Sequence, residues 1–547
     1  MGGSWSGIVK RSVGARPGRR FKPTFDPDTG LSMRIGVDYR FLSSGVLTVN
    51  RGMGRYTQQQ LRETIAVDQT NEYVLFCLPG AEKELILPEI RQSRRVSIAE
   101  IRMGDVQRRT PSMATDTATL LRHAEAYQNW IYHQHVDLYH ATTPYLWLDT
   151  PLLGFDACPF VSTYYDAIPI LYAPRYLPAG TPVADQFVFA NEFTRRSNRL
   201  IAISGSARRD AMNVLGYPGE RIDVAYPIAD PWFRPLDPSD KATALATIRR
   251  RLEIGGQYVM CVPHLHYSKN FENLVAGYAR LPAALRRQLP LVIVCHLNDD
   301  EFQQVKNITD QYEITDNVRL TGFVSEAELV ALYGDATVFL HASRYEGFGL
   351  PALEAMHCGA PVVASSTSSL PEVVGDAALL VEPNDPESIA AGVARLADDE
   401  TLREALRAKG FDQAKKFTGE QLGRATLAAY DQAKRAETRP ARSRVALWTP
   451  LPPLPTGAGD YAGELLEHLT QRYEVEVFVD DGYLPDYPLR QTSTIQHFTA
   501  FERRNTQAPF DVILYQMGAS EFHWYMYEPL KRFPGVVTLH DLTWSHV

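Results

Sequence analysis

The sequence predicts an α/β protein made of doubly wound parallel sheets, with two complete units in tandem and part of a third. Three observations lead there. The chain has 547 residues, more than one core supports when domains run to roughly 100–200 residues each. Short β-branched runs alternate with amphipathic helical stretches, the pattern of βαβ units covered on both faces. Finally, the stretch from Arg444 onward repeats the strand, glycine loop and helix found near the start.

Residues 1–32 precede this pattern. They are rich in Gly, Ser and Pro and carry Lys10, Arg11, Arg16, Arg19, Arg20 and Lys22, which reads as a disordered basic arm able to contact anionic lipid heads. From Met33, RIGVDYR (34–40) and YVLFCL (73–78) read as strands with a helix from Arg55 to Ile65 between them. VDLYHA (136–141), PFVSTYYDA (159–167) and NRLIAIS (198–204) continue the first domain, 33–228. A turn-rich stretch at 227–240 separates it from a second series: QYVMCVP (257–263), LPLVIVCHL (289–297), VRLTGF (318–323), ATVFLHA (336–342) and APVVAS (360–365). These define a second domain, 229–415, followed by a helix and polar linker at 416–443. In the repeat, 444–547, Gly457-x-Gly459-x-Tyr461 matches Gly52-x-Gly54-x-Tyr56 and PGVVTLHDL (534–542) matches PFVSTYYDA. The expectation is a partial first domain of a second unit, interrupted at Val547, with poor order near that end.

Composition narrows the function. Hydrophobic residues at 45% and charged residues at 22% exclude a disordered, collagen-like or coiled-coil chain. With 56 basic against 64 acidic residues, net −8, no global basic field draws nucleic acid. The five cysteines are scattered without a Cys-x-x-Cys pair, which suits a reducing compartment and offers no metal cage. His133, His135 and His140 straddle a helix end and a strand and share no face, so zinc is not expected. Asp26 and Asp28 fall in the arm and make no metal-nucleotide site. No apolar run reaches the roughly 20 residues of a membrane span and the N-terminus lacks a secretory block. A cytoplasmic protein, able to visit the inner face of the membrane, is the expectation.

Chemistry concentrates in 341–383. Strand ATVFLHA leads into a loop with Gly347 and Gly349, and Pro351 opens a helix, so backbone amides and a helix N-terminus face outward to an anion. Glu346 and Glu354, seven residues intervening, either address two hydroxyl-bearing parts of one ligand or serve as a solvated charge and a helix-dipole partner. Lys269, between a strand and an amphipathic helix, either meets a diphosphate or is solvated. Gly52 and Gly54 before a helix either admit a phosphate close to backbone or form a plain turn.

EGFGLPALE (346–354) and SSLPEVVGDAALL (368–380) resemble the retaining family 4 glycosyltransferases, and the resemblance runs from about Met33 to Lys434. It implies the GT-B fold, two Rossmann-like domains facing across a cleft, here followed by a partial third. It also implies transfer of a hexosyl unit from a nucleotide diphosphate sugar to a glycan or lipid-linked glycan hydroxyl, without a cofactor or metal. By the same resemblance Glu354 binds the ribose, Glu346 with the amides of Gly347, Phe348 and Gly349 addresses the sugar and diphosphate, and Lys269-Asn270 contacts the diphosphate. Many relatives have Gly and Arg just upstream where this chain has Pro263 and His264, leaving open whether His264 supplies that contact. Relatives often have His-Asp where Tyr165-Asp166 stands; Asp166 either orients an acceptor hydroxyl or caps the following turn. The tandem arrangement resembles mannosyltransferases of surface polysaccharide, such as lipopolysaccharide, which favours GDP-mannose over UDP- or dTDP-sugars. A silent nucleotide-sugar-binding module and a GT-B epimerase are the competing readings.

Overall fold

The computed structural model describes residues 32–42, 52–80, 83–101, 117–145, 155, 157–295, 297–435, 443–480 and 483–540. The basic arm, the loop just before Gly52 and the stretch from Asp541 to Val547 lie outside the described residues.

Three parallel sheets are present. The first joins β1 (Arg34–Asp38), β2 (Glu72–Cys77), β3 (Val96–Glu100), β4 (Leu138–Ala141), β5 (Phe160–Tyr164), β6 (Arg199–Ala202) and β7 (Ile222–Val224), in the order β3-β2-β1-β4-β5-β6-β7. The second joins β8 (Val259–Cys261), β9 (Leu291–Ile293), β10 (Val318–Leu320), β11 (Val338–His341), β12 (Val362–Ser365) and β13 (Ala378–Val381), in the order β10-β9-β8-β11-β12-β13. The third joins β14 (Arg444–Trp448), β15 (Glu474–Val479), β16 (Thr494–His497), β17 (Val512–Met517) and β18 (Val536–Leu539), in the order β16-β15-β14-β17-β18. The third repeats the order of the first five strands of the first.

Burial explains which strands of the first two sheets were legible; in the third, β15, β16 and β17 were implied only by the repeat. Central strands such as β4, β5, β6 and β11 are buried at every residue, so they read as continuous apolar runs. β3 has no buried residue and lies at an edge, and β7 and β13 are an edge strand of three residues and one of four; these three escape the sequence pattern.

Six helices shape the cleft and the seams between units: α1 (Gly52–Val67), α2 (Pro182–Arg196), α3 (Gly205–Val214), α4 (Leu350–Cys358), α5 (Gly419–Arg435) and α6 (Gly457–Leu469). Helix α1 begins three residues earlier than expected, so Gly52 and Gly54 form its first turn rather than a loop before it. Helix α5 comes after the second sheet in the chain but returns to the first domain. Its Gly423 leaves room for no side chain, since a Cβ would meet the Glu63 carbonyl of α1 at 2.4 Å. Gln60 of α1 donates to Thr426 at 3.2 Å, and Tyr430 shares a 2.8 Å hydrogen bond with His140 of β4. His140 is buried, and burial lowers its imidazole to about 3, so it stays neutral at the domain junction.

The third unit docks on the first domain. Arg490 makes two hydrogen bonds to Glu192 of α2, at 2.8 and 2.6 Å, with both side chains buried. Arg196 donates to the Arg490 and Ser493 carbonyls at 2.7 and 2.9 Å.

Candidate active site

In a doubly wound sheet the strands on either side of the order reversal leave a crevice beyond their carboxyl ends. In the second sheet that reversal lies between β8 and β11. The turn after β8 carries Lys269 and the loop after β11 carries Glu346, so residues 77 apart in sequence meet there. Lys269 donates to both carboxylate oxygens of Glu346, at 2.8 and 2.7 Å. His341, the last residue of β11, holds Oε1 at 3.0 Å through Nε2, and the Ser343 hydroxyl donates to the same oxygen at 2.7 Å. Burial of Glu346 opposes ionisation, but Lys269 and His341 outweigh it and hold the carboxyl far below the usual range. The result is a fixed anion beside a cation at the floor of a cleft.

The loop after Glu346 faces the first domain. A Cβ on Gly347 would meet the Tyr165 carbonyl at 2.6 Å and Asp166 Oδ2 at 3.2 Å, so glycine permits the two domains to close together. Ser204, which caps α3, donates to the Gly347 carbonyl at 2.6 Å. Gly349 has φ 106°, a left-handed conformation that favours glycine, and opens α4. Phe348 is buried, its ring 6.1 Å from that of Tyr226 and 5.5 Å from that of Phe417.

Three further bonds close the seam. Glu372 of the second domain accepts from the Gly205 and Ser206 amides at the start of α3, at 2.7 and 3.1 Å, filling from across the cleft the place of a helix-capping anion. Tyr345 donates to Asp210 of α3 at 2.7 Å.

The other expected residues surround this centre at different depths. Glu354 lies in the second turn of α4, not the first, and is buried; Tyr333 donates to its Oε2 at 3.1 Å and Arg55 of α1 pairs with Oε1 at 2.8 Å. Burial pushes its carboxyl up, with Arg55 only partly opposing. Asn270 does not turn its amide to the crevice. It has φ 60°, and its Nδ2 is committed to the Ala342 and Pro383 carbonyls at 2.8 and 2.6 Å, bracing the turn that presents Lys269. His264 is exposed, its ring 5.7 Å from that of His266; the imidazole bonded to Glu346 is His341. Gly54 is buried in the first turn of α1 and Gly52 is exposed there. Tyr165 is anchored by a 3.0 Å bond from its hydroxyl to the Thr142 carbonyl. Asp166 accepts from the Ile168 amide at 2.9 Å, which is the capping alternative, while its other oxygen faces Gly347. Burial raises its carboxyl to about 6, Lys269 offsetting only part.

Sequence reasoning missed His341, Ser343, Arg55 and Glu372. His341 and Ser343 stand in HASRYEGFG beside Glu346, and the polar pair at the end of an apolar strand was the available signal. Arg55 and Glu372 act across the cleft, where a linear pattern has no purchase. Among the described residues no group of three or more His, Cys, Asp or Glu is placed to hold a metal ion, and no helix is long and apolar enough to cross a membrane.

Two doubly wound domains closed face to face, with a return helix and a buried carboxylate paired with a half-buried ammonium at the second domain's switch point, define the GT-B class. Residues 246–413 match the family model described as glycosyl transferases group 1, and residues 51–233 match that described as glycosyltransferase family 4. An O-antigen chain mannosyltransferase B of Escherichia coli is 32% identical over 274 residues, covering 49% of this chain and 69% of that protein. The chain belongs to the family 4, group 1 glycosyltransferases. A serotype-specific mannosyltransferase WbdA of Escherichia coli is 28% identical over 261 residues, of whose length the match spans 31%. Among solved structures, a sucrose-phosphate synthase from Thermosynechococcus elongatus superposes with a TM-score of 0.59 at 20% identity, covering 74% of this chain and all of that one. Anabaena HepE in complex with UDP-glucose does so at 0.53 and 17%, covering 73% and 100%. These two show the fold.

Proposed function

We propose that the first two domains transfer a hexosyl unit, mannose by preference, from a nucleotide diphosphate sugar to a hydroxyl of a growing glycan, with retention at the anomeric carbon. The observation that carries this reading is the Lys269–Glu346 pair, fixed by His341 and Ser343 beneath the glycine loop. Glu354 takes the ribose, Glu346 positions the donor sugar, and Lys269 with the amides of Gly347, Phe348 and Gly349 faces the diphosphate. As the bond to the anomeric carbon breaks, negative charge gathers on the departing phosphate oxygen. Pre-placed donors stabilise that charge more than the ground state, which is where electrostatic catalysis acts. This reading assigns the task to Lys269 and backbone amides rather than to a metal. The departing phosphate accepts the acceptor's proton on the same face, and Asp166, opposite Gly347, orients the acceptor hydroxyl. The first turn of α1, with Gly52 and Gly54, closes over the phosphates from the other side, and Asn270 supports Lys269. Domain closure keeps out water, whose attack would hydrolyse the donor.

The mannosyltransferase relatives support mannose as the sugar and O-antigen-like polysaccharide as the product. The reading places the work at the cytoplasmic face of a membrane that presents a lipid-linked acceptor. The third unit is read as the front half of a second transferase domain pair, supported by its strand order, its Gly457-Gly459 helix start and His540 at the place of Tyr165. Measuring glycan extension from GDP-mannose, UDP-glucose and a dTDP-sugar with wild type and Glu346→Ala tests the reading. Donor-dependent extension that Glu346→Ala abolishes supports it; nucleotide-sugar binding without turnover in wild type refutes catalysis and favours the silent-module alternative.

A further inference from the structure

The carboxylate assigned to the ribose is not open to receive a diol. The Glu354 side chain is 5% exposed. Tyr333 of its own domain covers Oε2 at 3.1 Å, and Arg55 reaches across from the first domain to within 2.8 Å of Oε1. The same guanidinium is held from its other side by Asp230, which accepts from Nη2 at 2.7 Å and from Nε at 3.0 Å. Gln59, one helical turn along α1, donates to the second oxygen of Asp230 at 2.7 Å. Asp230 lies between β7 and β8, on the connection between the two domains. Arg55 therefore bridges two carboxylates, one at the hinge and one at the donor site.

We infer that Arg55 competes with the donor ribose for Glu354: in the nucleotide-free protein the guanidinium occupies the carboxylate, and donor binding displaces it onto Asp230 alone. Arg55 thereby sets donor affinity from the opposite domain. This rests on the assignment of Glu354 to the ribose.

Four points make the exchange feasible. The Arg55 side chain is 24% exposed, so the guanidinium has room to withdraw. Withdrawal breaks one of its two ion pairs and leaves the Asp230 pair, so the cation is not stranded; removing a charge's last partner is the costly event. The Glu354 Oε1 that faces Arg55 accepts no hydrogen bond, and two ribose hydroxyls supply donors to that carboxylate. Burial also raises the Glu354 carboxyl despite Arg55, so the present pairing does not fully offset the loss of water and a second set of donors is favoured.

Isothermal titration of the full chain with GDP-mannose and with UDP-glucose tests this. Arg55→Gln, which removes the competitor, binds whichever nucleotide sugar binds wild type about fivefold more tightly, the value of one partly exposed ion pair. Arg55→Lys, which keeps a cation in place, binds within about twofold of wild type. Asp230→Asn leaves the guanidinium to Glu354 alone and weakens binding, and this effect vanishes when combined with Arg55→Gln. Weaker or unchanged binding by Arg55→Gln, with its fold verified by circular dichroism, overturns the inference, as does a change of the same sign in Arg55→Gln and Asp230→Asn. Undiminished binding by Glu354→Gln, or no binding of either probe to any variant, overturns the donor-site reading itself.

Discussion

At the scale of single residues the site is a set of fixed charges whose protonation follows from their surroundings. Glu346 is kept ionised by Lys269 and His341, so Lys269→Ala should cost about 10²–10³ in kcat, as losing a pre-placed anion-stabilising donor does, with steady-state glycan extension as the measurement. His341→Asn, which can still donate to Glu346, should retain more activity than His341→Ala. Asp166 behaves in the opposite sense from Glu346. Its carboxyl sits at about 6 when folded, against the ordinary 3.8. A carboxyl held more tightly by its proton in the folded state favours the fold below the ordinary value and loses that contribution as pH rises through about 6. Asp166→Asn, neutral throughout, should therefore melt close to wild type at about pH 4 and several degrees higher at about pH 7.5; equal shifts at both would refute the buried-carboxyl account. Of these residues, Glu346 and Lys269 drew attention through the glycine loop and the Lys-Asn pair that resemble the family's motifs, and Asp166 through its place two residues beyond β5. His341 was overlooked because a buried imidazole at a strand end looks the same in sequence whether it packs or holds a carboxylate. Asn270 was given to the ligand because the motif does not reveal that its amide is spent on two carbonyls.

At the scale of elements, two close approaches decide whether the parts can meet. Gly347 lies against the Tyr165 carbonyl at a distance no Cβ tolerates. Gly347→Ala should thus hold the domains slightly apart, leaving nucleotide affinity nearly intact while lowering kcat on the order of 10²-fold, since misplacement by about 1 Å is that costly. Gly423 stands in the same relation to α1. Gly423→Ala should destabilise the packing of α5 by about 1–3 kcal/mol, the range for overfilled contacts, read as a lower melting temperature with the circular dichroism spectrum unchanged. Strands and helices that fill the centre of a sheet announce themselves by continuous hydrophobicity. Three of the edge strands, β3, β7 and β13, are half-solvated, so their pattern merges with that of loops. Helix α1 starts earlier than its apolar periodicity because Gly52 and Gly54 carry no side chain to contribute to one.

At the scale of the whole molecule, the three-sheet architecture was readable from strand and helix alternation, but its assembly was not. The Glu192–Arg490 contact joins residues 298 positions apart, and nothing local marks either as a docking residue. Arg490→Ala removes the hydrogen-bonded partner of Glu192 and leaves it only the charges of Arg196 and Arg195, a loss of about 3 kcal/mol, the low end for a broken buried pair. The third unit should then become more susceptible to limited proteolysis, with cleavage within β1–β13 unchanged. Between the first two domains, Glu372 caps α3 from across the cleft, beside the Ser204–Gly347 and Tyr345–Asp210 bonds. Opening strips two amides of their acceptor, so the clasp favours the shut arrangement over the open one. Donor capture should then follow a waiting time set by the protein, and stopped-flow binding rates should level off at high donor concentration. Added salt should raise that ceiling, because ions shorten the wait by weakening the clasp.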